Sequence, residues 1–505
     1  MKDIVIVGAG PAGLTAAIEI KRLEPKNNII ILEKSSEVGG HLVSGAILQR
    51  SEYYNYISKY PLEDNTIITN ENIWKLTKNS YYNLTRFVPD EYRNKGNILV
   101  DIGEVCKALA TEATKIGVKI CTCCGVDGFL SYKDSIVGLT LAGNNKIRSD
   151  YVIVAEGAYG TLTEKVLKHH NVKINKKYAL GIREERKYEV KGLISNNIGS
   201  IYHTIGWPSD NNSNGGFVYY YKDKIVIGYV TYLDYSNDYL NPYNEFERFK
   251  LHPKISELIK GTIKTKYSAK LIAINDMNNP TVACFHGCTV IGCALGLLDP
   301  MKLKGLHNAI ISGKMVAEKY ISTTTKMVTN IIDNLTDIDI INTLKVSNQT
   351  STIFQKYGAF IATIYRKFNK IIFLYLLNLR FKNKWFNYNK KPPRDWNVKD
   401  NRDNSLIFSD INYEHSSHIG VTDEIKHKIY DLRLNNKMSS RLCPAGVFTW
   451  EKEFKHYVFK IRHTNCLQCK TCLVKTAEKT IDWNVCKNGN GPNFTTENCN
   501  KLYTT

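Results

Sequence analysis

The first 33 residues leave few folds open to this chain. Ile4-Val5-Ile6-Val7 reads as a short buried strand. Gly8-Ala9-Gly10-Pro11-Ala12-Gly13 follows, then an apolar-periodic helix to about Leu23 and a second strand, Ile29–Leu32, ending in Glu33. Gly8 permits a tight turn, Gly10 lets backbone N–H groups approach a pyrophosphate, and Gly13 lets the helix pack close to the sheet. Glu33 lies 20 positions after Gly13, placed to accept the ribose hydroxyls of an adenosine. The glycine spacing alone is a weak signal. Strand, turn, helix, strand and acid in that order predict a dinucleotide-binding α/β domain.

The next residues choose between flavin and nicotinamide. Glu33-Lys34 runs on to Gly39-Gly40-His41, an extension that resembles the second fingerprint of glutathione-reductase-like FAD proteins. A strand at Tyr151–Ala155 leads into Glu156-Gly157-Ala158, with Glu156 where that family has a small or polar residue. A third strand, Thr289–Ile291, ends in Gly292 to Asp299 before a helix from about Gly305 to Tyr320, whose backbone N–H groups can reach a flavin. These features assign FAD, with Gly8, Gly10, Gly13, Glu33, Gly40, His41, Gly157, Gly292 and Asp299 as its expected contacts. No second glycine fingerprint follows, so electrons are expected from a donor other than NAD(P)H.

Near the C-terminus Cys443-Pro444 precedes Cys466-x-x-Cys469-x-x-Cys472. Zinc ribbons pair two separate Cys-x-x-Cys units. Here the pairs overlap at Cys469, which suits a cubane in which each thiolate takes a different iron. Cys443, Cys466, Cys469 and Cys472 are therefore read as ligands of one 4Fe–4S cluster. Cys486 and Cys499 have no spacing partner and read as ordinary thiols. Cys121, Cys123 and Cys124 read as buried residues on a strand Lys119–Cys124 rather than as a metal site. Cluster thiols must stay reduced, so the thirteen cysteines point to a reducing compartment.

At 505 residues the chain has room for two or three domains. The formal charge of +20 fits an acidic partner or an anionic membrane surface, although an Asn- and Lys-rich background explains part of it. No nucleic-acid-reading motif is present. The first strand begins at Asp3, so no leader is expected before it. No apolar run reaches the roughly 18 residues of a spanning helix. The nearest, Phe354–Phe381, is broken by Arg366-Lys367-Phe368-Asn369-Lys370.

Between the two ends, an amphipathic helix is expected at Ile102–Ile116. Ser200–Trp207, Gly216–Tyr221 and Ile225–Leu233 alternate with Tyr-rich faces and predict an antiparallel sheet walling one side of the flavin. Residues 322–350 lack clear caps and are expected to leave the flavin domain, and Pro392-Pro393 marks a second joint. The expected organisation is an FAD domain over 1–330 interleaved with a sheet region at about 175–280. A linker and membrane-contacting segment over 331–395 and a cluster domain over 396–505 follow.

Taken together, the ordered motifs resemble the electron-transfer flavoprotein–ubiquinone oxidoreductase family over nearly the whole chain. They are Val5–Leu14, "EKSSEVGGHLVSGA" (Glu33–Ala46), "NKGN" (Asn94–Asn97), "VAEG" (Val154–Gly157) and "TIGWP" (Thr204–Pro208). Gly215-Gly216, Leu233–Phe246, His252-Pro253 and "GCALGLLDPMKLKGLHNAIISG" (Gly292–Gly313) continue the series. "CPAGV" (Cys443–Val447), "NCLQCKTC" (Asn465–Cys472), Ile481–Trp483 and Gly491-Pro492 complete it. The resemblance implies an α/β FAD-binding domain with an interleaved mixed-sheet quinone-binding domain and a ferredoxin-like 4Fe–4S domain. It implies an oxidoreductase of the respiratory chain that takes electrons from reduced electron-transfer flavoprotein and passes them to ubiquinone. It also implies attachment to one membrane face without spanning, at the mitochondrial inner membrane or the cytoplasmic face of a bacterial one. Gly215 and Gly216 fall where that family's quinone head group meets backbone.

Departures stand out. Asp299-Pro300 replaces an expected Asn-Val-like pair and is expected to set a negative charge near the flavin. Trp74–Arg93 is more polar than the family's stretch. The rival expectation is a flavin reductase acting on a lipid or small molecule, like geranylgeranyl-reductase and FixC-type relatives.

Overall fold

The computed structural model describes residues 2–495 except 44, 89, 190–195, 210–213, 236, 238, 276–283, 303–304, 323–338, 358–399, 414–416, 435–436, 455 and 487–488. Most of Phe354–Phe381, with its basic interruptions, and the Pro392-Pro393 joint lie outside the described residues, as does Cys499.

The strand at Asp3–Val7 is central in a six-stranded sheet ordered Cys284–Phe285, Cys288–Val290, Tyr151–Val154, Asp3–Val7, Asn28–Leu32, Lys119–Cys121. Its neighbours are parallel, Ile4 facing both Tyr151 and Ile29. An unbroken apolar run suits a strand covered on both faces. Ile4, Ile6 and Ile31 pack under the Pro11–Leu23, Ile102–Lys115 and Leu306–Ser322 helices. Val5, Val7 and Leu32 pack on the other face with Leu162 and Val166. The expected helix at 102–116 forms because Asp101 caps it, accepting from the Gly103 amide at 2.7 Å.

A second sheet has seven strands, ordered Thr262–Asn275, Lys176–Tyr188, Ile225–Tyr232, Gly215–Tyr220, Ser200–Gly206, Asn70–Leu76, Tyr81–Asn83. The expected antiparallel core is present, but Ser200–Gly206 runs parallel to Asn70–Leu76, so the sheet is mixed. Register assigns its two faces. Lys270, Gly181, Val230, Gly215 and Ile205 form one row across five strands. Ala269, Ile182, Tyr229, Gly216 and Thr204 form the next row, which projects to the opposite side. That side is covered by the Pro242–Leu251 helix through Phe246 and Phe249.

The Arg183-Glu184-Glu185-Arg186 run obeys the same alternation. Glu184 meets Lys250 at 2.7 Å, Arg186 at 2.8 Å and Lys264 at 2.9 Å. Glu185 pairs with Arg183 and, at 3.5 Å, with Lys224 on the other face.

The C-terminal unit is not a separate bead. Leu442, Cys443, Val447, Phe448, Cys466 and Leu467 share one core with Tyr243, Phe246 and Tyr267 of the sheet region. The segment expected to exit the flavin domain contains a helix, Asp339–Tyr357, that packs back onto it. Ser347 donates to Asp299, and the Asn348 amide donates to the Asn275 carbonyl at 3.0 Å. Among the described residues no helix is long and apolar enough to cross a membrane.

Candidate functional site

Two cavities meet at one wall. The larger holds about 1340 Å³ of empty space and is lined by the Gly8–Ala12 turn, Glu33, Lys34, His41, Ala155–Tyr159, Lys270 and Cys293. Gln468, Cys469, Lys470, Trp483 and Cys486 close it from the C-terminal unit. The smaller, of about 290 Å³, is ringed by Cys443, Cys466, Cys469 and Cys472. Cys469, Lys470 and Trp483 border both.

The larger cavity has the shape of a nucleotide cradle. A Cβ added at Gly10 or Gly157 meets nothing within 4 Å, because both face the open space. The Glu33 carboxylate accepts from the Ala9 amide at 2.8 Å and from the Ser35 amide at 2.9 Å. His41 is buried, and its Nδ1 has no hydrogen-bond partner among the described residues. Burial, with Lys34, Lys270 and Lys470 nearby, pushes its pKa well below the usual value. A neutral imidazole with a spare nitrogen fits a polar ligand.

Glu156, the unusual residue of the "VAEG" motif, has a local task. Its carboxylate accepts from the Leu162 and Thr163 amides at the start of the Thr161–His169 helix. It lies directly over Gly160, where a Cβ would sit 1.9 Å from the carboxylate.

The remaining expected flavin contacts are placed outside this cavity. Gly13 packs its helix against the sheet, within 2.2 Å of the Gly8 carbonyl for an added Cβ. The Gly40 carbonyl accepts from the Phe494 amide at 2.7 Å and so anchors the C-terminal unit. Gly292 turns at φ +67, close against Ala12. Asp299 is buried, and its carboxylate accepts from the Met301 and Lys302 amides, both at 2.9 Å, and from Ser347. That carboxylate is occupied in tying a turn and a helix together.

The thiol ring fits a polynuclear group. All four cysteines are buried. Burial, then Cys469, pushes Cys443 up to about 11, and burial likewise raises the other three. Ionising them together requires a cationic core. Among the described residues no three His, Cys, Asp or Glu converge on a single-ion site, and the four thiols instead surround a cavity. Donors already face the sulfurs. The Gln468 amide reaches Cys466 Sγ at 3.3 Å, Thr471 Oγ1 reaches Cys469 Sγ at 3.4 Å, and the Val447 amide reaches Cys443 Sγ at 3.5 Å.

Outer contacts hold the loops that carry these cysteines. Arg402 donates to the Ser440 carbonyl at 2.7 Å and the Cys443 carbonyl at 2.9 Å. Tyr267 donates to the Pro444 carbonyl at 2.9 Å and Tyr413 to the Cys466 carbonyl at 2.8 Å. Sequence reasoning missed these residues, because nothing in their spacing marks them. It also missed Lys270, Lys470 and Gln468. Lys470 had a signal: it lies inside the Cys469–Cys472 repeat. Burial drives Lys270 down to about 7 and Lys470 down to about 8, and neighbouring lysines add to both shifts.

One cysteine reading needs correcting. The strand ends at Cys121, and Cys123 adopts φ 56, so the chain turns there. Cys121 and Cys123 are exposed and Cys124 lines the larger cavity, so none is a buried strand residue. Cys486 is a free, buried thiol that accepts from Gln468 Nε2 at 3.2 Å beside that cavity.

The glycine pair is split by the pleat. Gly215 shares its row with Lys270, on the sheet face away from the Pro242–Leu251 helix, and an added Cβ there would run into the Thr204 carbonyl. Gly216 faces the helix, where an added Cβ would lie 2.3 Å from Phe249 Cζ. The flat ring that Gly216 admits is that of Phe249.

Three family models match successive parts of the chain: pyridine nucleotide-disulphide oxidoreductase over residues 2–172, ETF-QO ubiquinone-binding over 178–272, and electron transfer flavoprotein-ubiquinone oxidoreductase 4Fe-4S over 398–495. The chain is 29% identical to a mitochondrial electron transfer flavoprotein-ubiquinone oxidoreductase from Oryza sativa, covering 98% of this chain and 92% of that protein. Its namesake from Pseudomonas aeruginosa is 28% identical over 97% of this chain and 98% of its own. The Homo sapiens mitochondrial one is 27% identical over 97% and 88%. Among solved structures, a geranylgeranyl bacteriochlorophyll reductase-like protein from Thermoplasma acidophilum matches 75% of this chain and 90% of its own at TM-score 0.52 and 15% identity. A flavin-dependent brominase matches equally well, at TM-score 0.52. Both likenesses show the fold alone.

Proposed function

The chain belongs to the electron transfer flavoprotein-ubiquinone oxidoreductase family, and on that premise we propose how its residues carry electrons from reduced electron-transfer flavoprotein to ubiquinone. The cluster supplies single-electron steps and FAD joins them to the two-electron reduction of the quinone. Cys443, Cys466, Cys469 and Cys472 hold the cluster. The Gly8–Ala12 turn, Glu33, His41 and Gly157 hold FAD. Gly215 is the member of the glycine pair that offers backbone to a quinone, because it lies in the row of Lys270, away from the Pro242–Leu251 helix.

The shared wall carries this reading. Cys469, Lys470 and Trp483 border both cavities, so a single layer of side chains separates the cluster's place from the flavin's. Lys470 fills the seam, its ammonium bonded to the Tyr159 carbonyl at 2.8 Å and 5.9 Å from the Trp483 ring centre. The fused core keeps the two sites at a set separation. The test is quinone reduction with reduced electron-transfer flavoprotein as donor, in wild type and in Cys469→Ala. The wild type should turn over, and the variant should lose both its cluster paramagnetic resonance signal and turnover. A four-iron signal that survives in the variant overturns the ligand assignment. Direct reduction by NADPH, with no activity from the flavoprotein donor, favours the lipid-reductase reading.

Attachment to one membrane face, the matrix side in mitochondria or the cytoplasmic side in bacteria, is part of the same proposal. Arg366, Lys367, Lys370, Arg380, Lys382 and Lys384 flank aliphatic and aromatic residues. Each basic group near an anionic surface contributes about 1 kcal/mol. Tyr82, 64% exposed, and Phe87, 48% exposed, add interfacial aromatics near the sheet edge. Deleting 354–385 should abolish sedimentation with anionic liposomes, and unchanged binding refutes that anchor.

A further inference from the structure

Three ammonium groups from three parts of the fold line the larger cavity. Lys34 follows the Asn28–Leu32 strand, Lys270 stands on the Thr262–Asn275 strand, and Lys470 sits between two cluster cysteines. Each makes one bond to a neutral acceptor: Lys34 to Gln468 Oε1 at 2.9 Å, Lys270 to the His41 carbonyl at 3.0 Å, Lys470 to the Tyr159 carbonyl at 2.8 Å. An ammonium has three donors, so each keeps N–H groups free for a ligand.

None of the three forms an ion pair among the described residues. Several other inward cations of this chain are paired, although Lys176 also donates to a carbonyl, that of Ala294. Lys224 meets Asp64 and Glu185, and Lys250 and Lys264 meet Glu184. Two carboxylates do border the cavity, Glu33 and Glu156, but each is committed to a pair of backbone amides. A cavity that gathers like charges and withholds counter-ions is built for an anion. The open Gly10 turn delivers the N-terminal end of the Pro11–Leu23 helix to the same space.

We propose that Lys34, Lys270 and Lys470 clamp the anionic diphosphate bridge of the bound dinucleotide, so that the cluster-bearing unit forms part of the flavin's binding site. This rests on the FAD assignment and deepens it. FAD then ties three pieces of chain together, and Lys470 couples cofactor binding to the loop that carries Cys469.

The test uses the full chain, stripped of FAD and titrated with FAD by fluorescence, as wild type, Lys270→Met and Lys470→Met. Losing one charge-assisted bond should weaken FAD binding about 10- to 100-fold in each variant. The flavin-free variants should melt no lower than flavin-free wild type, because one of three repelling charges is gone. That opposite pairing, weaker binding with undiminished apo stability, is foreign to a purely structural role. The cluster signal in Lys470→Met checks that its loop has folded, and Lys270→Met repeats the test away from that loop. FAD affinities within about twofold of wild type overturn the clamp. So does a shifted flavin or cluster midpoint potential at unchanged affinity, which gives the lysines to the ring or the cluster instead. A wild-type chain that takes up no FAD removes the flavin reading itself, a different failure.

Discussion

Gly216→Ala separates two explanations of the glycine pair. An added methyl would lie 2.3 Å from Phe249 Cζ and 2.6 Å from both Cε atoms, where ordinary carbon contacts need about 3.5–4.0 Å. Phe249 has nowhere to retreat. It is fully buried, its ring centre 5.5 Å from that of Tyr229 in the same core. Overpacking of this kind costs about 1–3 kcal/mol. Phe249→Leu alone leaves a cavity and costs about 1–2 kcal/mol. In the double variant the methyl occupies part of that cavity, so the two costs should fail to add by at least about 1 kcal/mol. Hydrogen exchange across Gly215–Tyr220 and Pro242–Leu251 reports the local unit directly. The double variant should recover protection lost in Gly216→Ala and keep the wild-type KM for a ubiquinone analogue. Additive costs, or a raised KM in a fully protected double variant, would refute the packing argument and return Gly216 to the quinone.

Other expectations follow from the same geometry. Burial pushes Glu184 up, but Lys250, Lys264 and Arg186 outweigh it and hold the carboxyl down to about 2 against an ordinary 4.5. A depressed folded pKa means stability present above 4.5 and lost as pH falls toward 2. The urea midpoint should therefore drop across that window, and Glu184→Gln should start lower and flatten the slope; an identical slope in the variant contradicts this. Thr471→Ala removes a donor to Cys469 Sγ and should lower the cluster midpoint by about 20–60 mV in a potentiometric titration. An intact cluster at unchanged potential would show that the hydroxyl does not act on it. Arg402→Gln frees the Ser440 and Cys443 carbonyls and should reduce iron content per chain on reconstitution; full iron loading would assign Arg402 no part in holding the Cys443 loop.

The N-terminal fold was legible because its code is local. Strand, glycine turn and helix are specified within a few residues of each other, and the Ile4–Val7 run and the Asp101 cap behave as their neighbours dictate. The thiol set was legible for the same reason, since Cys466, Cys469 and Cys472 share one loop. Lys270 and Arg402 were not. A lysine on a strand carries no mark of the face it projects from until the register of five strands is known. The Gly215-Gly216 pair shows the limit most clearly. Its motif marked the position, but the two-residue period of the sheet puts one glycine in the row of Lys270 and the other against Phe249.

By itself, then, the sequence determined what kinds of groups this chain holds, because cofactor chemistry demands residue types at short spacings. Only the tertiary structure decided how the two sites relate. Cys469 became a common wall, and Lys34, Lys270 and Lys470 became neighbours, because one hydrophobic core runs from the sheet into the C-terminal unit. That core is assembled from residues hundreds of positions apart. Its driving force is the burial of apolar area, which carries no record of separation along the chain.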